Sequence, residues 1–228
     1  MKRTLVAVII AIAITSPLRG EEEGTDTFYF KATLGYNRPI IPALSDELDK
    51  QGLGEELGQG GGLNISLGRS FLNRSWAVEL SAYVSLYTSF RYLNEYEDFY
   101  GDMRHFGFGG VVTKRFPLQE DVLAAVVGIG AAYGRTELIS GGGKLDVFEG
   151  IALARAERKI RGNIWLLAEF AYTTGFTEDA FDSPYLENIS GDALFTSDNE
   201  ALEARFTCLE FRVGVIVWLP KSKPYGGR

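Results

Sequence analysis

Apolar and polar residues alternate with a period of two along eight stretches of this chain. Successive side chains of a strand point to opposite faces, so each stretch presents one oily and one polar surface. In Thr27–Tyr36, Phe28, Phe30, Ala32, Leu34 and Tyr36 share one face, and Tyr29, Lys31, Thr33 and Gly35 share the other. Gly61–Phe71 sets Leu63, Ile65 and Leu67 against Asn64, Ser66, Gly68 and Ser70. Ser75–Tyr87 sets Trp76, Val78, Leu80, Ala82, Val84 and Leu86 against Glu79, Ser81, Tyr83, Ser85 and Tyr87. Met103–Phe116 places Phe106, Phe108, Val112 and Phe116 opposite His105, Gly107, Gly109, Thr113 and Arg115. Val122–Gly134 opposes Leu123, Val127, Ile129 and Tyr133 to glycines and alanines. Leu145–Lys159 turns Ala152, Ala154 and Ala156 one way and Arg155 and Glu157 the other. Asn163–Thr174 sets Ile164, Leu166, Ala168, Phe170 and Tyr172 against Asn163, Glu169 and Thr173. Ala204–Leu219 carries Leu209, Phe211, Val213, Val215, Val217 and Leu219 on one face, and Glu210, Arg212 and Gly214 on the other.

The connections carry the second half of the pattern. Leu72–Arg74, Pro117–Asp121 and Ile160–Gly162 are tight, whereas Asn37–Gly60, Ser89–Asp102, Arg135–Lys144 and Gly175–Glu203 are longer. Long loops on one side and short turns on the other are the layout of an outer-membrane barrel, with short turns on the periplasmic side. Each stretch supplies the roughly 9–11 residues that a tilted membrane strand needs. The expected fold is therefore all-β: an eight-stranded antiparallel up-and-down transmembrane β-barrel over residues 21–219. Closure satisfies every backbone donor and acceptor in lipid, which an open sheet cannot do. Phe28, Tyr36, Phe71, Trp76, Phe116, Tyr133 and Trp218 lie near strand ends, where interfacial aromatic girdles are expected. Periodicity alone leaves a soluble, lipocalin-like periplasmic binder open, since its oily face would simply turn inward.

At the N-terminus, Lys2 and Arg3 precede an apolar run from Leu5 to Ile14 and then Thr15, Ser16 and Pro17. A basic start, a short greasy stretch and a polar exit make a secretory signal peptide, assigned to residues 1–20. About ten apolar residues are too few for a spanning helix, which needs roughly 20. The bacterial outer membrane is the address this implies, with residues 220–228 as a short periplasmic tail. The formal charge of −7 over 228 residues becomes −10 once Lys2, Arg3 and Arg19 leave with the signal. So acidic a chain is no partner for nucleic acid, whose phosphates need Lys and Arg. A single cysteine, Cys208, excludes an intrachain disulfide framework and any multi-cysteine zinc site. No cofactor is expected.

At the end of the last strand, Arg212-Val-Gly214-Val-Ile-Val217-Trp-Leu219 resembles the sorting signal of outer-membrane β-barrels. That signal has a polar residue, a glycine two positions later and spaced hydrophobic residues at the strand end. The resemblance implies recognition by the barrel-assembly machinery through Arg212, Gly214, Val217 and Leu219. Such chains usually stop at a terminal aromatic, whereas this one adds Pro220–Arg228. The layout as a whole is similar to the small eight-stranded outer-membrane proteins: the barrel domain of outer membrane protein A and its opacity-protein and adhesin-like relatives.

Lys31, Glu79, His105, Arg115, Arg155, Glu157, Glu169, Glu210 and Arg212 fall on the polar face. An eight-stranded barrel is just wide enough for side chains to fill it. The charges other than His105 are therefore expected to form an interior network, because a buried unpaired charge is costly. Counted from the short-turn side, Glu169 is expected opposite Arg212, and Glu79 near Arg115. A narrow, porin-like ion path is the functional alternative. His105 is the only histidine and a potential general base. Some outer-membrane barrels modify lipid A with a histidine near the outer leaflet, and Ser85, Tyr87 and Asp102 could lie near His105, although nothing in their spacing is diagnostic. The deacylase type has a His-x-Ser arrangement, but here Phe106 and Gly107 follow His105. Gly107, Gly109, Gly110 and Gly141–Gly143 lack the strand-to-helix setting and lysine of a phosphate loop, and read as turns and packing.

The long connections are acidic. Asn37–Gly60 contains Asp46, Glu47, Asp49, Glu55 and Glu56, and Gly175–Glu203 contains eight more carboxylates, among them Asp179, Asp182 and Glu187. Ser45 is placed to cap a short helix over Ser45-Asp-Glu-Leu-Asp. Divalent cations would suit these carboxylates and could bridge them to lipopolysaccharide phosphates. The expected role is non-enzymatic: presenting acidic surface loops for surface interaction or adhesion and for envelope integrity, with outer-membrane lipid and lipopolysaccharide as partners.

Overall fold

Residues that alternate apolar and polar, and that are rich in Val, Ile, Phe and Tyr, favour pleated pairing, and the two prolines within strands, Pro39 and Pro117, stand near strand ends. The computed structural model describes residues 27–40, 60–72, 74–93, 98–138, 144–176 and 207–219. These form β1 (Thr27–Ile40), β2 (Gly60–Phe71), β3 (Trp76–Leu93), β4 (Asp98–Gln119), β5 (Leu123–Leu138), β6 (Lys144–Arg161), β7 (Ile164–Phe176) and β8 (Thr207–Trp218). Each strand pairs antiparallel with its sequence neighbours, and β8 closes on β1. The signal peptide, the acidic segments of the first and last long connections, the Ser45 cap, Gly141–Gly143 and the tail lie outside the described residues.

The register fixes the stagger of the barrel. A line through successive partners from Phe28 runs through Arg69, Val78, Val112, Ile129, Ala152, Tyr172 and Leu209, and returns to β1 at Arg38. Residue 38 stands ten positions beyond residue 28. A shear of that size over eight strands tilts them by about 40°, so each residue climbs the barrel axis by about 2.5 Å.

The two faces are distributed as a membrane barrel requires. Outward Leu34 is 66% exposed and Ile129 73%, while inward Lys31 is 2% exposed and Glu169 0%. A lipocalin-like binder would show the reverse, with apolar residues inside and charges in water. The soluble alternative is thereby overturned.

Two sequence expectations need correction. Trp218 does not join an outer girdle: it is buried inside the barrel at 5% exposure. It shares the parity of Arg212 and Ile216, and strand alternation leaves it no other direction. The β3–β4 connection is also shorter than Ser89–Asp102. The two strands continue to pair up to Leu93 and Asp98, past an irregularity between Tyr87 and Phe90. Above Tyr87 on β3 and Met103 on β4 they pair only with each other. Backbone hydrogen bonding between two strands needs no alternation, so the sequence there does not mark the pairing.

At the opposite end the turns are tight. Gly162 takes φ of +54° in the β6–β7 turn, a conformation that suits glycine. Leu72, Arg74 and Asp121 adopt positive φ in the other two turns, at a modest local cost.

Candidate functional site in the lumen

The inward side chains fill the barrel in three layers. At the short-turn end Tyr29, Ala77, Trp165, Leu167, Ile216 and Trp218 form an apolar plug. The Tyr29 and Trp218 rings lie 4.7 Å apart. Two guanidinium groups cap the plug, Arg74 at 4.9 Å from the Trp218 ring centre and Arg115 at 4.7 Å from that of Trp165.

Above it lies the charged layer, which brings Lys31, Glu79, Arg115, Arg155, Glu157, Glu169, Glu210 and Arg212 into one connected network. Register explains its centre: Arg155, Glu169 and Arg212 are consecutive cross-strand partners on β6, β7 and β8. Glu169 receives Arg212 at 3.1 Å, Lys31 at 3.2 Å and Arg155 at 3.3 Å. Glu79 receives Arg155 at 2.5 Å, Lys31 at 2.6 Å and the Tyr29 hydroxyl at 2.7 Å. Glu210 binds Arg212 through Nε at 2.7 Å and through a terminal nitrogen at 2.5 Å. Each buried charge thus has opposite charges against it, the condition for keeping it out of water.

Glu79 and Arg115 do not meet. Arg115 donates instead to Glu157 at 3.1 Å, and Glu157 also takes Arg155 at 3.0 Å. Glu79 is the partner of Val111, four residues along β4 from Arg115. Counting residues from the turns ignores the climb of the register around the barrel, and that climb sets Arg115 level with Glu157 on β6.

Toward the loop end a second polar cluster surrounds His105, which is 3% exposed. Its Nε2 stands 2.6 Å from Glu149 Oε1, and its Nδ1 is 2.9 Å from Thr136 Oγ1. The Tyr83 hydroxyl donates to Glu149 Oε2 at 2.5 Å, and the Tyr83 ring lies 5.4 Å from the imidazole. Ser85, the cross-strand partner of His105, accepts instead from Asn37 Nδ2 at 2.6 Å. Glu149 and Thr136 were not legible as partners of His105, although both lie on inward faces. Only the pairings β4–β5 and β5–β6 bring them beside it.

Cavities among these layers measure about 20 and 10 Å³, room for about one water each. Among the described residues no group of three or more His, Cys, Asp or Glu is placed to hold a metal ion.

The residues of the sorting-signal resemblance divide between the two faces. Arg212 and Gly214 point inward, and Val217 and Leu219 lie on the outward side. Gly214 faces Thr33 across the β8–β1 seam, where a Cβ would run into the Ala32 carbonyl oxygen.

No family model and no curated protein sequence matches the chain. Among solved structures it is similar to neisserial surface protein A, at 13% identity over 85% of this chain and 99% of that one, with a TM-score of 0.53. Ail, the attachment invasion locus protein of Yersinia pestis, solved with the heparin analogue sucrose octasulfate, matches at 12% identity over 84% of this chain and 99% of that one, TM-score 0.46. A major outer membrane protein from Thermus thermophilus matches at 14% identity over 84% and 99%, TM-score 0.43. Such low identities speak to fold alone. With its polar filled interior and apolar exterior, the chain is an eight-stranded β-barrel of the outer-membrane type.

Proposed function

We propose that this protein is a non-enzymatic outer-membrane barrel that holds acidic external loops at the cell surface for surface interaction and supports envelope integrity. The observation that carries this reading is the filled lumen. Its charges are spent on one another, so the chemistry offered to partners lies on the outer rim and in the loops. His105 serves the same packing: Thr136 and Glu149 engage its two ring nitrogens inside the barrel, away from the face an acyl chain would touch.

The outer rim supports contact with lipopolysaccharide. Arg38, Arg104 and Arg135 lie on outward faces near the loop end, at levels within about two residues of one another once the stagger is included. Arg104 pairs with Glu137 at 2.5 Å, and Arg135 with Asp146 at 2.7 Å. Cations and carboxylates together suit phosphates bridged by divalent ions.

The test compares cells carrying the full chain with cells carrying a chain whose residues 41–59 and 177–206 are replaced by short Gly-Ser linkers. Adherence to matrix-coated surfaces should fall in the second while the barrel still folds, and bilayer recordings should stay at baseline for both. Unchanged adherence together with sustained single-channel steps would replace this reading by that of a small channel.

A further inference from the structure

The outward face carries a second ring of cations, at the short-turn end. Arg69 on β2, Lys114 on β4 and Arg158 on β6 all point outward. The register climbs about one and a quarter residues per strand, so positions that look unrelated in sequence come level. With that climb included, the three stand within about one and a half residues of the same height. Alternate strands are about 10 Å apart in the hydrogen-bonding direction, so each cation addresses its own headgroup.

Two of the three are held there by rings on the same surface. Lys114 Nζ lies 4.5 Å from the centre of the Trp76 ring, and Arg69 Cζ 5.8 Å from that of Phe28. Each ring belongs to the cation's direct cross-strand partner. The stems lie along apolar wall, and the charged heads reach the interface. On β4, Arg104 and Lys114 are ten residues apart, and Phe106, Phe108, Gly110 and Val112 between them carry no charge. Ten residues at about 2.5 Å each is about 25 Å, the height of the apolar band of such barrels. The lower ring therefore sits at the opposite headgroup layer from the upper one.

We propose that Arg69, Lys114 and Arg158 form a binding belt for the phosphates of anionic phospholipids in the periplasmic leaflet, fixing the depth of the barrel in the membrane. This rests on the orientation adopted above, with the short turns toward the periplasm.

The experiment refolds the full mature chain into bilayers of phosphatidylcholine mixed with phosphatidylglycerol. It then measures by native mass spectrometry which lipids stay bound after extraction. Phosphatidylglycerol should be enriched on the wild type and lost progressively, by about fivefold per cation removed, in R69Q, R69Q/K114Q and R69Q/K114Q/R158Q. The charge-keeping variant R69K/K114R/R158K should restore it, and L34A, on the outward apolar wall, should leave it unchanged. Equal enrichment in the triple glutamine variant, or an equal loss in L34A, would overturn the belt. A heat-modifiable band for every variant keeps failure of the belt distinct from failure of the barrel reading. A wild type with no such band in bilayers would overturn both.

Discussion

Glu169 is the residue on which the charged layer turns, since three cations approach one fully buried carboxylate. Removing it takes one carboxylate from each, leaving Lys31 on Glu79, Arg155 on Glu79 and Glu157, and Arg212 on Glu210 alone. Glu169→Ala should cost about 3–5 kcal/mol in urea unfolding followed in bilayers. Glu169→Ala with Arg212→Ala should cost clearly less than the sum of the single changes, because the pair is lost together. Additive losses would mean that the two side chains act independently. Gly68 shows a steric version of the same dependence. Tyr29 lies across it, and a Cβ at residue 68 would run into the ring. Gly68→Ala should displace Tyr29, break its bond to Glu79 and lower stability by about 1–3 kcal/mol on the same assay. The outward Ala82→Gly serves as the control.

Strand parity decides what each tryptophan touches. Trp76 lies on the outward face of β3, whereas Trp165 and Trp218 are buried at the base of the lumen. Single-tryptophan variants in bilayers of brominated-chain lipid should separate them. Trp76 emission should be strongly quenched, and Trp165 and Trp218 emission should stay near the level in unbrominated lipid. Strong quenching of Trp218 would mean that the end of β8 is rotated outward and that the plug is open. The β3–β4 ribbon is the complementary case, in which backbone pairing outlasts the alternation of the sequence.

For the whole molecule, the two rings of outward charge define an apolar wall about 25 Å tall. A wall of fixed height implies a preferred bilayer, since mismatch costs fractions of a kcal/mol per Å. Stability measured across phosphatidylcholines of increasing chain length should peak where the hydrocarbon is about 25 Å thick and decline on both sides. A monotonic trend would argue against the placement of the rings. The folded barrel should also run faster on a gel unboiled than boiled, because closure leaves no strand edge at which detergent-driven unfolding can start.

The number of strands, the face each residue takes and the tight connections are all legible in the chain alone, because alternation is a local consequence of backbone geometry. So are the eight charged side chains inside, and the match of Glu169 with Arg212 as direct partners on neighbouring strands. The stagger is not legible there. Shear belongs to the closed ring, not to any one strand, and a ten-residue climb spread over eight seams leaves no local mark. For that reason Arg115 falls to Glu157, and His105 finds Glu149 two strands away. By the same climb Arg69, Lys114 and Arg158, far apart along the chain, come level as a belt. Alternation assigned the faces; only the closed barrel assigned the heights.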